Sequence, residues 1–505
     1  MTSRVQNVVI LGGGSAGWMA AACLSKTLGS QLQITLIESE SIGTVGVGEA
    51  TIPSIHLFNQ LIGIDEQAFV KATQATFKLG IQFKGWGKEQ DDYMHAFGGF
   101  GFPFGSQPFF QYWMHSKTLG NQFSFWDYSL NSQAAKYNKF AKLEKVGETN
   151  LQGLVYAYQF DASLFASFLR SFSENLGVNR IEGIVKKTNL SSETGFIDSL
   201  TLDSGMVITG ELFIDCSGFK GVLIEQALQT GFECWSHWLP CDSALAIPTK
   251  ALTPLPPYTT ATAHDAGWQW QIPLQHRTGN GYVYSSRYMT DEQAEEELLN
   301  KLNSEPIGPA KHIRFKTGMR KLSWNKNCVA LGLASGFLEP LESTSIHLVQ
   351  FSLGKLLKFF PNKAFHPSTT DEFNRLVNQE YNNVRDFIIL HYKANQKQES
   401  KFWHDCAQMP VPAALQQKIS LFEAQGQVHC GSDELFSDIS WTQVMLGQNI
   451  LPKSYHPMTH SFPVKNLKIY LAETRSIIKQ IIPAVPKHKH FIDLYIDHKQ
   501  SPNNT

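Results

Sequence analysis

The residues Gly12-Gly13-Gly14-Ser15-Ala16-Gly17 fit the pattern G-x-G-x-x-G. They follow the apolar residues 8–11 and open a helical pattern, the context in which this spacing seats a dinucleotide. Gly12 is expected to make the tight turn, Gly14 to let a pyrophosphate approach the backbone, and Gly17 to let helix and strand pack closely. Amides at the helix start, helped by the helix dipole, would face the phosphates. Glu38 ends the next strand pattern about 20 residues on, where a carboxylate accepts a hydrogen bond from a ribose hydroxyl. A carboxylate there disfavours a 2′-phosphate and so speaks against NADP. The run alone leaves NAD and FAD open. Residues 211–215 form a late strand pattern ending in Asp215, followed by Cys216-Ser217-Gly218. That pattern occurs where flavoprotein sheets return to the cofactor, and it favours FAD.

Other residues carry chemistry with less local support. The stretch 46–53, Gly-Val-Gly-Glu-Ala-Thr-Ile-Pro, would let a flat ring lie against its backbone, but it reads equally as an ordinary loop. In residues 337–345, Phe-Leu-Glu-Pro-Leu-Glu-Ser-Thr-Ser, Pro340 restrains a turn and Ser343 or Thr344 is expected to cap the helix that follows. The free amides behind that cap form an anion site. Glu342 beside the helix start reads locally as a dipole-complementing carboxylate as readily as a catalytic one. Lys78 falls on the non-apolar face of the strand pattern 77–83, and pattern alone favours a solvated lysine. Trp268 and Trp270 share one strand face, where such pairs are usually core.

These residues need a sheet to hold them. Residues 8–11, 18–28 and 33–37 read as strand, helix and strand, the unit of a parallel sheet. Further strands are expected at 181–190, 196–202, 211–215 and 329–331, and helices at 161–176, 344–360, 370–394 and 467–482. Residues 95–110, rich in Gly, Phe and Pro, read as a long ordered loop, and the polar residues 500–505 as a frayed end. The expected fold is α/β: a Rossmann-like FAD-binding sheet domain over 1–365, with an inserted sheet, and a mostly helical region over 366–505 that covers the substrate. The chain has 505 residues, 43 Lys plus Arg against 44 Asp plus Glu, and a net charge of −1. Such a balance gives no electrostatic reason to seek nucleic acid or an anionic membrane. The seven cysteines (Cys23, Cys216, Cys234, Cys241, Cys328, Cys406 and Cys430) show no CxxC spacing, so neither a zinc site nor a disulfide framework is expected. No leader and no long apolar run is evident, and a cytoplasmic protein is expected.

Together the motifs resemble the flavin-dependent halogenases, in the branch that includes the tryptophan halogenases. The resemblance is carried by residues 12–21 (Gly-Gly-Gly-Ser-Ala-Gly-Trp-Met-Ala-Ala), by 46–54, by Thr76-Phe77-Lys78, and by Asp215-Cys216-Ser217-Gly218. It continues through W-x-W-x-I-P at 268–273 and Phe-Leu-Glu-Pro-Leu-Glu-Ser-Thr at 337–344. It implies that FADH2, O2 and a halide, chloride or bromide, generate hypohalous acid, which travels to a separate substrate pocket. It assigns Lys78 to holding that species and Glu342 to orienting it or taking the arene proton, and the halide to Thr344 and Ser345. Trp268 and Trp270 would keep substrate from the flavin. His95 and Phe97 match substrate-lining positions. Cofactor contacts carry over to Gly14, Ser15, Ala16, Glu38, Ala50, Val185, Leu333 and Ile346. With no NAD(P)H site evident, a separate NAD(P)H-dependent flavin reductase is the expected electron source. A homodimer stays open.

Two departures from the family pattern matter. Ser345 stands where the family usually has glycine, so a backbone conformation open only to glycine would be lost. The stretch 441–452, Trp-Thr-Gln-Val-Met-Leu-Gly-Gln-Asn-Ile-Leu-Pro, lacks the tyrosine pair that clamps a free amino acid. A buried amino acid needs its charges paired. The expected substrate is therefore an indole-like or other electron-rich arene rather than free tryptophan, a small aromatic molecule or a larger one bound in a more open site. The alternatives are a flavin-dependent hydroxylase, which needs neither Lys78 with Glu342 nor a tryptophan barrier, and a non-catalytic flavin-binding protein.

Overall fold

The structure is a computed structural model that describes residues 4–42, 48–102, 105–397, 399–432 and 434–497. Gly46 and Val47 of the second glycine-rich stretch, and the tail 500–505, lie outside the described residues. The chain forms two compact units, each built from three segments: Met1–Ala75, Phe160–Asp242 and Arg314–Asn383 in the first, and Thr76–Gln159, Ser243–Ile313 and Val384–Thr505 in the second.

The first unit is built on a six-stranded sheet in the order Trp324–Asn325, Cys328–Ala330, Leu212–Asp215, Asn7–Leu11, Gln33–Glu38, Asn179–Glu182. The strand Asn7–Leu11 lies between parallel neighbours, with Leu11 opposite Asp215 on one side and Ile37 on the other. Val8, Val9 and Ile10 are all buried, as a parallel strand covered on both faces requires. The helices Ser15–Leu28 and Ala162–Asn175 pack on each other. Asp161 caps the second of these, accepting from the amides of Ser163 at 3.0 Å and Leu164 at 3.2 Å. The α/β class and the Rossmann-like order are as expected from the sequence. One strand is not. Residues 181–190 divide at Gly183, whose N–H donates to the Glu38 carbonyl at 2.9 Å. Asn179–Glu182 stays in the parallel sheet, while Val185–Leu190 joins an antiparallel sheet with Ile197–Leu202 and Val207–Thr209.

The second unit carries a seven-stranded sheet that includes the antiparallel run Ser243–Lys250, Arg277–Tyr284, Gly267–Pro273, Thr259–His264, then Gly80–Lys84 and Asp92–Ala96. Its helices include Phe109–Thr118, Ala413–Gln425, Asp438–Gly447 and Val464–Ile481. No described helix is long and apolar enough to cross a membrane. The expected strand 77–83 breaks at Leu79, whose N–H goes to the Pro257 carbonyl at 2.7 Å and whose carbonyl accepts from Phe97 at 2.9 Å. Thr76–Lys78 instead pairs with Ala157–Phe160, Lys78 opposite Ala157.

His488 fixes that short strand from behind. It is fully buried, its Nε2 accepts from the Phe77 N–H at 3.1 Å, and its Nδ1 faces the Leu255 carbonyl at 3.3 Å. Desolvation holds its pKa down at about 3, against the stabilising pull of the carbonyls it faces. The unfolded chain takes up this proton near pH 6.5 and the folded chain does not, so stability falls as pH drops below about 6.5. Urea unfolding at pH 4 is expected to show about 3 kcal/mol less stability than at pH 7 from this group. His488→Gln, which keeps an acceptor for Phe77, is expected to flatten that part of the pH slope.

Candidate active site

In the first unit the glycine run turns at the carboxyl end of its strand. Gly12 has φ +115°, and a Cβ there would lie 2.2 Å from the carbonyl oxygen of Cys216. A Cβ on Gly17 would lie 1.8 Å from the Gly12 carbonyl oxygen. Both positions therefore exclude any larger residue, and the roles expected of Gly12 and Gly17 are the ones the backbone enforces. Helix Ser15–Leu28 starts with Gly14 at its cap, no side-chain cap bond and no acidic residue in its first turn. Its first internal bond is Trp18 N–H to Gly14 O at 3.1 Å, so the amides of Ser15, Ala16 and Gly17 precede the ladder. This is the donor set that a pyrophosphate needs.

Of the other cofactor candidates, Glu38, Val185 and Leu333 lie on segments that touch this turn or Glu38. A Cβ on Gly13 would strike the Glu38 carboxylate, so a glycine there lets Glu38 come in. Glu38 accepts from Trp18 Nε1 at 3.3 Å and from Arg180 Nε at 2.5 Å, with Arg170 at 3.6 Å. The arginines were not legible from sequence, because they come from a strand and a helix whose neighbourhood to Glu38 depends on sheet order. Val185 follows the Gly183 turn beside Glu38, partly buried. Leu333 follows Gly332, where a Cβ would lie 2.8 Å from the Cβ of Ala16. Ala50 and Ile346 are buried at 7% and 3% exposure. Asp215 has a structural part at the end of its strand. Its carboxylate accepts from the amides of Ser217, Leu223 and Ile224 and from the Ser217 hydroxyl, which consumes its lone pairs in holding the turn and the helical segment Val222–Ala227.

The second anion-binding candidate is the start of helix Ser345–Lys358. The expected cap is absent: Thr344 occupies the cap position, but no side-chain cap bond forms. Instead its Oγ1 is buried and has no hydrogen-bond partner among the described residues. The first internal bond is Leu348 N–H to Thr344 O at 2.9 Å, which leaves the amides of Ser345, Ile346 and His347 ahead of the ladder. Ser345 is simply the first helical residue. The left-handed conformation falls on Ser343, at φ +59°, so Ser345 asks for nothing that only glycine can give. Glu342 ends the 3-10 turn Pro340–Glu342 and is 1% exposed.

The second unit holds the remaining candidates. Lys78 is fully buried, which overturns the solvated reading, and its Nζ lies 5.4 Å from the Phe97 ring centre. Trp268 and Trp270 are 1% and 6% exposed, with ring centres 6.3 Å apart in an edge arrangement. Trp86 and Trp403 extend this aromatic layer. His95 is buried beside Phe387 and Phe436, which stack at 3.8 Å, and Trp441 meets Phe387 edge-on at 4.8 Å. Gln443, which sequence reasoning passed over, holds this wall in register. It accepts from the Ala96 N–H at 2.8 Å and donates to the Ala96 carbonyl at 3.1 Å, fixing the backbone between His95 and Phe97. Nearby charges are paired among themselves, Arg385 with Asp386 at 2.7 Å and Lys418 with Glu434 at 2.9 Å.

Comparison with known proteins agrees with this geometry. The family model described as tryptophan halogenase matches residues 7–464. The tryptophan 6-halogenase SttH of Streptomyces toxytricini is 36% identical over 455 residues, covering 84% of this chain and 85% of the relative. Among solved structures, Xcc4156, a flavin-dependent halogenase from Xanthomonas campestris, superposes with a TM-score of 0.94 at 46% identity, over 99% of this chain and 100% of the other. BrvH, a flavin-dependent halogenase from Brevundimonas sp. BAL3, gives 0.93 at 41% identity, over 97% and 99%.

The tryptophan pair depends on a glycine across the sheet. Trp270 is opposite Gly281, where a Cβ would lie 2.0 Å from the indole ring and 2.4 Å from the Leu245 carbonyl oxygen. Gly281→Ala is expected to push the indole of Trp270 out of its place and to cost about 1–3 kcal/mol in urea unfolding, with an altered near-ultraviolet tryptophan spectrum. An unchanged spectrum and stability would show that the layer is not held this way.

Proposed function

The chain belongs to the tryptophan halogenase family of flavin-dependent enzymes, and from that premise we propose that it halogenates an electron-rich, indole-like arene other than free tryptophan through Lys78 and Glu342. The observation that carries the reading is the burial of Lys78: a lysine at zero exposure, on a strand locked from both sides, is far from the solvated side chain its pattern suggests.

FAD held here as FADH2 would, together with O2 as the oxidant, supply the redox chemistry that yields hypohalous acid: O2 takes two electrons from FADH2 and two from the halide, and its second oxygen leaves as water. The amides of Ser15, Ala16 and Gly17 fit its pyrophosphate, and Glu38 its ribose. Ala50, Val185, Leu333 and Ile346 complete the proposed cofactor set. The amides of Ser345 and Ile346, with the Thr344 hydroxyl, fit a chloride or bromide. The ammonium of Lys78 holds the oxygen of hypohalous acid by hydrogen bonding and draws electrons from the O–X bond. The arene attacks the halogen, the O–X bond breaks, and the Glu342 carboxylate takes the proton from the ring carbon. The departing hydroxide takes a proton from the Lys78 ammonium and leaves as water, so the proton gained by Glu342 balances the one lost by Lys78. Trp268 and Trp270 act as the barrier between arene and flavin, and His95 and Phe97 line the arene site. An NAD(P)H-dependent flavin reductase supplies the reduced flavin in trans.

The aromatic wall supports a neutral substrate. Trp441 stands in the stretch that lacks the family's tyrosine pair, its indole N–H is buried without a partner among the described residues, and the charges beside it are already paired. A zwitterion brought there would face rings rather than counter-charges.

The test is a reductase-fed assay with FAD and bromide or chloride, read by mass spectrometry across an arene panel. Halogenated indole is expected in excess of halogenated tryptophan. Lys78→Ala and Glu342→Gln are each expected to lower product by about 10²-fold or more while retaining bound FAD. Oxygenated product without halide, or full activity in Lys78→Ala, would refute the mechanism, and tryptophan turned over at least as fast as indole would refute the substrate.

A further inference from the structure

His347 is the third residue of helix Ser345–Lys358, 8% exposed, and none of the chemistry above uses its side chain. Its Nε2 lies 2.6 Å from Oε1 of Glu380, and its Nδ1 lies 3.1 Å from the hydroxyl of Ser54. Glu380 is 3% exposed on helix Pro367–Lys393. Ser54 closes the stretch that began as the second glycine-rich motif and occupies the cap position of helix Ile55–Ile62. One imidazole therefore pins three elements, and two of them are segments with proposed flavin or halide contacts.

The chemistry of the chain is ordered. A carboxylate accepts, so Nε2 carries the proton that it donates to Glu380, in a short charge-assisted bond. In the neutral imidazole Nδ1 is then the acceptor, and the Ser54 hydroxyl donates to it. The residue so held shares one helical turn with the amides of Ser345 and Ile346 and with the unpartnered Thr344 hydroxyl. The direction of those amides follows from the orientation of the first turn. With no side chain capping it, the first turn has His347 as its side-chain anchor to both other elements.

We propose that Ser54, His347 and Glu380 form a buried positioning relay that aims the first-turn amides of helix Ser345–Lys358 at the halide and holds them to the strip ending at Ser54. The relay acts through the amides; His347 is a positioning residue. This rests on the assignment of the halide to Thr344 and Ser345.

The test uses FAD-loaded full-length protein with Ser54→Ala, which removes one link, His347→Gln, which keeps a donor for Glu380 but loses the link to Ser54, and Ser54→Thr, which keeps the hydroxyl. Bromide is titrated against the visible spectrum of the bound flavin, and KM for bromide and for indole are measured in parallel. Ser54→Ala and His347→Gln are expected to weaken the bromide response by about three- to tenfold, the worth of one hydrogen bond, and to raise the bromide KM in proportion. The indole KM stays within about twofold, and Ser54→Thr restores the bromide response. A bromide response that is the same in wild type and both variants overturns the relay alone. Equal rises in both KM values, with loss of thermal stability, also overturn it, since that is what a merely structural contact gives. A wild-type protein with no bromide response overturns the relay together with the halide assignment.

Discussion

Backbone amides at a helix start need partners, and the helices Ser15–Leu28 and Ser345–Lys358 begin without one from a side chain at the cap. Leaving donors of this kind unmet costs free energy comparable to a lost hydrogen bond each. Much of the local structure of the first unit can be understood as keeping these two starts open. Gly12 and Gly17 give up their side chains so that strand, turn and helix can touch. Asp215 takes over the demand of a different helical start, that of Val222–Ala227, and so keeps the turn beside the first helix compact. Where a capping residue is wanted for ordinary stability it is present, as with Asp161 before Ala162–Asn175 and Asp65 before Glu66–Ala72. Open and closed starts thus coexist in one unit; helix Ile55–Ile62 also begins without a side-chain cap bond, although Ser54 stands at its cap.

The second unit solves another problem, burying a lysine. An ammonium loses its water when it is enclosed, and its surroundings must replace that hydration. The ring of Phe97 supplies a negative face at 5.4 Å. The strand that carries Lys78 is held on one edge by Ala157–Phe160 and at Phe77 by the neutral His488. Phe77 stacks on Phe140 at 4.3 Å, so the residue before the lysine is fixed in an aromatic core. The side chain that follows is thus carried on a backbone fixed in place, as the role proposed for Lys78 would require.

How much of this the sequence revealed depends on whether a feature is local. The turn at Gly12 to Gly17 was legible because each glycine answers to neighbours within one βαβ unit. The helix 345–358 was legible from its stripe and from Pro340. Lys78 was misread by pattern alone, since alternation shows which face a residue occupies but not whether that face is covered. It took the whole set of motifs to make it a site residue. The division of 181–190 was hidden because Gly183 turns there to bond Glu38, a partner far away in sequence. Arg180, His488, Gln443 and the Ser54–His347–Glu380 chain were invisible for the same reason: each gains its meaning from a partner on another segment.

The two departures from the family pattern end differently once the backbone is known. Replacing glycine by Ser345 carries no conformational cost, because the left-handed residue of this turn is Ser343 and the serine falls on ordinary helix. The amide of residue 345 is a property of the backbone, and the substitution leaves it in place. The missing tyrosine pair is a change in side chains that nothing in the backbone can replace. Trp441 fills its part of the wall with a ring, Phe387 and Phe436 close-stack beside it, and Arg385, Asp386, Lys418 and Glu434 satisfy one another. Arg385 and Asp386 are buried and Lys418 and Glu434 partly buried, so the charges on this side of the wall already have partners. The proposed halide seat thus rests on backbone amides and the proposed arene seat on side chains, so substitution bears more heavily on the second.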